Sequence, residues 1–142
     1  MQTAIKTGEQ VLYTAKTRTT GGRNGASRSS DGRLDLKLTH PGGKGEGTNP
    51  EQLFATGWSA CFIGALEIAA AGSGLKLPAD TAIDAEVDLA KYDQGYFLKA
   101  RMNVSLPGFD EETAFKLINE AHNTCPYSKM SKGNIDVEFN LI

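Results

Sequence analysis

An α+β domain with largely antiparallel pairing, in the order βββ-α-ββ-α-β, is the fold class this sequence predicts. Three observations carry it. Residues 34–38, 83–89 and 135–141 alternate apolar and polar side chains, the period of a half-buried strand. Residues 52–66 hold no charged side chain, and their apolar positions go nearly all the way round a helix. Finally, Ala114, Phe115, Ile118, Ala121, His122 and Cys125 recur at the 4-3-4 spacing of an amphipathic helix.

Residues 1–10 read as a loose N-terminal arm, and residues 11–19 as a strand ending at Gly21-Gly22. Asn24-Gly25 and Asp31-Gly32 are turn dipeptides that tolerate positive φ, so tight hairpins follow. A Gly-rich loop at residues 40–47, a connector or flexible lid, separates the 34–38 strand from the first helix. That helix opens with Asn49-Pro50-Glu51-Gln52: an N-cap residue, a proline at the first helical position and an acid near the positive end. It runs towards Gly72 and Gly74 and is expected at the centre of the core. Gly57, Cys61, Gly64 and Ala65 are small enough to admit a close neighbour. Residues 83–89 and 97–106 form a strand pair across Asp93-Gln94-Gly95. Pro107-Gly108 breaks the chain, Asp110 caps the amphipathic helix, and Pro126 ends it just after Cys125. No repeat or linker interrupts the sequence, so residues 1–142 are expected to form one domain.

The formal net charge of −2, with both signs intermixed, argues against nucleic acid as a partner. The longest uncharged run is 15 residues and includes Gln52, Thr56 and Ser59. No segment therefore nears the ~20 apolar residues of a membrane span. Residues 1–9 lack the apolar stretch of a signal peptide. The expectation is a cytoplasmic protein without a membrane partner. Thiols stay reduced there, so a cysteine pair leans towards chemistry and away from a permanent disulfide.

The two cysteines stand in contrasting surroundings. Cys61 lies in Trp58-Ser59-Ala60-Cys61-Phe62-Ile63, whereas Cys125 follows a charged amphipathic stretch. Apolar burial disfavours a thiolate, so Cys61 is either inert packing or has a partner that stabilises its charge. On burial statistics alone, packing is the commoner outcome. Three features favour chemistry: the second cysteine on an element facing the core, the opposite charges Arg23 and Glu51, and a helix-break signal at Gly57.

Five motifs occur in order: Thr20-Gly21-Gly22-Arg23, Ser30-Asp31-Gly32, Gly47-Thr48-Asn49-Pro50-Glu51-Gln52-Leu53-Phe54-Ala55, Ser59-Ala60-Cys61-Phe62 and Cys125-Pro126-Tyr127-Ser128. Together they resemble the organic hydroperoxide resistance (Ohr) proteins, a branch of the Ohr/OsmC superfamily, from about residue 11 to the end of the sequence. Trp58 stands where that pattern has Tyr, and Pro41-Gly42-Gly43-Lys44-Gly45-Glu46 is less purely glycine. The resemblance implies an OsmC-like fold, with antiparallel sheets around central buried helices, and an interlaced homodimer. It also implies a thiol peroxidase that reduces organic hydroperoxides to alcohols. Carried over, Cys61 is the peroxidatic thiol, Cys125 the resolving thiol, and Arg23 and Glu51 the charged pair that holds and activates Cys61. No bound cofactor is implied; an external dithiol, the dihydrolipoyl group of a lipoylated protein, regenerates the thiols.

The chemistry of the residues agrees with these roles. A thiolate is the effective nucleophile, and a guanidinium stays charged and offers a fixed fork of donors. Glu51 and Cys61 pose a difficulty, because ten residues of straight helix are about 15 Å of rise. Arg23 or another chain bridges that distance, or the helix stops at Gly57 and restarts with Ser59 as N-cap. In the second case Cys61 sits beside free backbone N–H groups. Cys125, at a helix C-terminus, receives the opposite bias and stays a thiol.

Phe54, Trp58, Phe62, Met102, Phe109, Tyr127 and Met130 are the candidates to line a pocket for an alkyl tail, though each residue type is more often core. His122 and Cys125 share helical spacing, but neither Cys-x-x-Cys nor His-x-x-x-His completes a metal set with His40 or Cys61. His122 reads as a helix-end residue or a satisfied core group. The rival functions are a redox-sensing binding protein using the same cysteines and a dimeric scaffold with inert thiols. No basic stripe or DNA-reading helix supports the first of these.

Overall fold

The computed structural model describes residues 6–142. The chain divides into two compact units, Met1–Asn49 and Pro50–Ile142.

In the N-terminal unit β1 (Thr17–Thr20), β2 (Ala26–Ser29) and β3 (Asp35–Lys37) form an antiparallel sheet in that order. A 3₁₀ turn, Gly22–Asn24, joins β1 to β2. A Cβ at Gly25 would stand 1.7 Å from the Thr20 carbonyl oxygen, so only glycine closes this hairpin. Leu34, Leu36 and Leu38 all turn inward, as their alternation requires. The strand expected over residues 11–19 is corrected to Thr17–Thr20. The ladder with β2 ends at Thr17 opposite Ser29, followed by one more bond from Ser30 N–H to the Lys16 carbonyl (2.9 Å), and Val11, Leu12 and Tyr13 are exposed. Of the expected arm, residues 1–5 lie outside the described residues, and residues 6–10 are exposed without strand or helix. The Gly-rich loop is tied at its neck: Thr39 N–H donates to the Thr48 carbonyl (2.9 Å) and Gly47 N–H to Thr39 Oγ1 (2.9 Å).

The C-terminal unit holds α1 (Pro50–Gly72), β4 (Ala82–Tyr92), β5 (Gly95–Ser105), α2 (Glu111–Thr124), α3 (Pro126–Ser131) and β6 (Asp136–Leu141). The α+β class is as expected. β4 and β5 form the antiparallel hairpin, but β6 joins β5 in parallel, with Phe139 opposite Met102. The α2–α3 crossover returns the chain to the starting end of β5, which makes parallel pairing the available one. Ala100, Met102 and Val104 on the inner sheet face join α1 and α2 in one core. On the other face Arg101 forks onto Asp88 (2.8 and 2.9 Å) and reaches Glu86 (3.1 Å). Asp110 caps α2 by accepting from Thr113 N–H (2.8 Å), and Ala114, Leu117, Ile118 and Ala121 form its buried stripe.

α1 is one unbroken helix of 23 residues. At 23 residues, with Glu51 and Glu67 as its charged side chains, it is long and apolar enough to cross a membrane on length and composition, which corrects the expectation that no segment approaches that length. Here it is the core helix of its unit, packed against α2, α3 and β4. Trp58, Phe62, Ala65, Leu66, Ala69 and Ala70 are buried, while Ile68 is 72% exposed. Within one chain, then, burial of α1 is confined to one face.

Candidate active site

Two helices and one sharp junction bring the thiols together. Cys61 lies midway along α1. Cys125 is at once the C-cap of α2, donating its N–H to the Ala121 carbonyl (2.8 Å), and the N-cap of α3, with Pro126 in the first turn. α3 was not anticipated: Pro126 both stops one helix and starts the next. Cys125 therefore sits between the negative end of α2 and the positive end of α3, not at a C-terminus alone. The two Sγ atoms are 3.3 Å apart, and both cysteines are free thiols. A disulfide needs about 2.05 Å, so a small displacement joins them. Cys61 is half-buried and Cys125 wholly buried, which gives the pair an outer and an inner member.

Burial pushes the Cys61 thiol above its ordinary range, and the adjacent Cys125 thiol adds to the rise. The backbone N–H of Tyr127, in the first turn of α3, hydrogen-bonds the Cys61 sulfur and pulls the other way. Burial dominates, so the unit by itself holds Cys61 protonated.

Of the two alternatives for reaching Cys61, the break at Gly57 does not occur. Gly57 serves a different purpose: an added Cβ would stand 2.9 Å from the Tyr127 hydroxyl and 3.2 Å from its ring. The missing side chain lets α3 lie directly on α1. One residue on, Trp58 Nε1 donates to Ser128 Oγ (3.1 Å) in the buried interior. Phe54 packs on Trp58 (centroids 5.3 Å apart) and on Tyr127 (6.2 Å). Ser128 and the Tyr127 backbone were missed as site residues; the Cys125-Pro126-Tyr127-Ser128 motif was the available signal.

Of the proposed pocket residues, Trp58, Phe62 and Met102 are fully inside the core of this unit. Phe54, Phe109 and Tyr127 are half-buried against that core, and Met130 is exposed. Glu51 occupies the first turn of α1, and on an unbroken helix lies about 15 Å of rise from Cys61. Arg23 is exposed in the 3₁₀ turn of the N-terminal unit. His122 stands in the last turn of α2, as its helix-end reading has it, and packs its ring on Phe139 (4.7 Å); its buried Nδ1 has no hydrogen-bond partner, which corrects the alternative of a satisfied group. Among the described residues no group of three His, Cys, Asp or Glu converges as a metal site.

Residues 43–140 match the family model described as OsmC-like protein. The chain is 46% identical over 137 residues to the organic hydroperoxide resistance protein of Xanthomonas axonopodis pv. citri (strain 306), covering 94% of this chain and 96% of that one. It is 44% identical to organic hydroperoxide resistance protein OhrB of Bacillus subtilis (strain 168), covering 92% and 98%. The crystal structure of Bacillus subtilis OhrB superposes with a TM-score of 0.88 at 41% identity, over 93% of this chain and all of that one. An organic hydroperoxide resistance protein from Legionella pneumophila gives 0.86 at 38% identity, over 93% and 98%. With one outer and one inner thiol held in contact on this fold, the chain belongs to the Ohr/OsmC family.

Proposed function

We propose that this protein is a thiol peroxidase that reduces organic hydroperoxides to the corresponding alcohols. The observation that carries the reading is the 3.3 Å approach of a half-buried thiol to a buried one. The Cys61 thiolate attacks the hydroperoxide, the O–O bond breaks, and the alkoxide leaves as the alcohol after taking a proton. Cys61 is then a sulfenic acid. Cys125 attacks that sulfur, the S–O bond breaks, water departs and the Cys61–Cys125 disulfide remains. An external dithiol returns both thiols by exchange; a dihydrolipoyl group on a lipoylated protein is the donor this reading favours.

Because burial raises the Cys61 thiol, the reading needs a cation at the sulfur, and the motif likeness assigns that role to Arg23, with Glu51 acting through its guanidinium. Phe54 and Tyr127 are half-buried aromatics of the thiol-bearing unit and are proposed to meet the alkyl part of the substrate. Trp58, Phe62 and Met102, fully buried, are proposed to back that lining from the core, with Phe109 and Met130 as its further members. The exposed Ile68 on α1 supports a second copy of the chain covering that face, hence a homodimer. A cytoplasmic location belongs to the same proposal.

The test mixes reduced protein with an alkyl hydroperoxide and dihydrolipoamide and follows peroxide loss. Many turnovers, faster than with hydrogen peroxide, support the peroxidase. Consumption of a single equivalent selects a redox sensor, and none selects inert thiols. Arg23→Ala is expected to abolish turnover while the protein stays folded; unchanged turnover removes Arg23 from the site.

A further inference from the structure

Trp58 and Ser128 are placed symmetrically about the thiols. Trp58 precedes Cys61 by three residues on α1, and Ser128 follows Cys125 by three residues on α3. Each is thus about one helical turn from its cysteine, on the side where the two helices meet. Their side chains join through the Nε1–Oγ hydrogen bond of 3.1 Å, and both residues are fully buried. Next to this link Gly57 lets the Tyr127 ring rest on the α1 backbone. Cys125 is rigid towards α2 through its own N–H, and its carbonyl accepts from Lys129 N–H (2.9 Å) inside α3. α3 meets α1 through the Tyr127 ring on Gly57 and the Tyr127 N–H on the Cys61 sulfur, and the indole–hydroxyl bond adds a buried polar link between the same two helices.

We infer that the Trp58–Ser128 hydrogen bond is a clamp that holds Cys125 within bonding reach of Cys61, making Trp58 and Ser128 positioning residues for disulfide closure. The inference deepens the peroxidase reading and rests on it for its biological sense. Closure converts the Cys61 sulfenic acid and the Cys125 thiol into a disulfide and water: the S–O bond breaks, the S–S bond forms, and the thiol proton leaves with the hydroxyl. The sulfurs must move from 3.3 Å to about 2.05 Å. That motion is short only while α3 stays seated on α1. Lifting α3 strands the indole N–H in a dry core, where an unmade hydrogen bond is strongly disfavoured. Without the clamp α3 samples positions with the thiols apart, and a waiting sulfenic acid is exposed to a second hydroperoxide that carries it to the sulfinic acid.

The test uses the full chain with Ser128→Ala, Trp58→Phe and the double variant. The first readout needs no hydroperoxide: the dithiol–disulfide equilibrium of Cys61 and Cys125 against dithiothreitol. In wild type and Ser128→Ala it is also followed by emission of Trp58, the one tryptophan of the chain. The second readout is the fraction of Cys61 carried to sulfinic acid by excess alkyl hydroperoxide. Each single variant is expected to shift the equilibrium towards the dithiol by about tenfold, the scale of one buried hydrogen bond, and to raise the sulfinic fraction. The double variant separates positioning from mere stability. Removing donor and acceptor together relieves the stranded polar group, so thermal stability recovers over Ser128→Ala while the equilibrium stays shifted. An unshifted equilibrium in Ser128→Ala, or one that recovers in step with stability in the double variant, overturns the clamp. A wild type that closes its disulfide but turns over no peroxide fails the peroxidase reading alone, because the shifted equilibrium still supports the clamp.

Discussion

A side chain on Gly57 would collide with Tyr127: its Cβ would stand 2.9 Å from the phenol oxygen and 3.2 to 3.3 Å from two ring carbons. Gly57→Ala sets two effects against each other. Alanine gains about 1 kcal/mol in helix propensity, and displacing a packed ring costs about 1–3 kcal/mol. Global stability is therefore expected to fall by no more than about 2 kcal/mol in urea unfolding. Disulfide closure should suffer more, since Tyr127 lies two residues beyond Cys125 and its N–H meets the Cys61 sulfur. Slower loss of free thiols after oxidation, in a protein that unfolds normally, is the outcome to look for.

Gly57 also shows where the sequence misleads. A lone glycine in a helical stretch signals a break and a close approach equally well, and only the Tyr127 ring decides between them. Pro126 is ambiguous in the same way, so α3 and the second role of Cys125 were illegible. Alternation located β6 but carries no direction, and its parallel pairing follows from the crossover. Residues 11–15 have a strand pattern, but among the described residues no strand pairs with them. By contrast the Asp110 cap, the start of α1 and the approach of Cys61 to Cys125 were legible, because capping chemistry and motif order are local to the residues, whereas the all-round burial expected of α1 is met on one face alone.

Replacing each cysteine should separate the two steps of the proposed cycle. Cys61→Ser is expected to consume no hydroperoxide. Cys125→Ser should react once, giving a sulfenic acid that dithiol reagents reduce slowly and excess hydroperoxide carries to sulfinic acid. Mass spectrometry of Cys61 distinguishes one added oxygen from two. Sustained turnover by Cys61→Ser would place the chemistry elsewhere.

In Arg23→Ala, where no guanidinium offsets burial, the raised Cys61 thiol sets a pH dependence of known sign. Its thiolate fraction grows as pH rises, so the first oxidation step accelerates towards alkaline pH. Stability moves the other way. Above the ordinary thiol pKa of about 8.5 the unfolded chain has lost this proton and the folded chain has kept it, so stability falls as pH rises. Cys125→Ser removes the neighbour's share of the rise and should lower the apparent pKa of Cys61, while burial keeps it above the ordinary value. Rates of Cys61 alkylation against pH in Arg23→Ala and in Arg23→Ala with Cys125→Ser measure both directions.

Arg101 links Glu86 and Asp88 on the polar face of β4 and β5, and its guanidinium holds both carboxyls below their usual range. Arg101→Gln is expected to lower the thermal midpoint modestly, because surface pairs are screened by water. The loss should shrink in high salt and at pH values low enough to protonate the two acids. A salt-independent loss would mean that the aliphatic stem of Arg101, rather than its charge, supports the sheet.

His122 supplies a second window, on the acid side. Burial, with a smaller contribution from Lys132, holds its imidazole below the ordinary range, and its buried Nδ1 has no partner. Below a pH of about 6.5 the unfolded chain gains this proton before the folded chain does, so stability falls as pH drops towards the depressed folded value. The carboxylates paired with Arg101 are held below their usual range and leave that window to His122. His122→Phe keeps an aromatic ring against Phe139, removes the orphaned nitrogen and abolishes the titration. Unfolding free energies from pH 7 to pH 5 should decline in wild type and stay flat in the variant. Equal slopes would show that the folded chain accepts the proton at His122 without penalty, and that its Nδ1 finds a partner in solution.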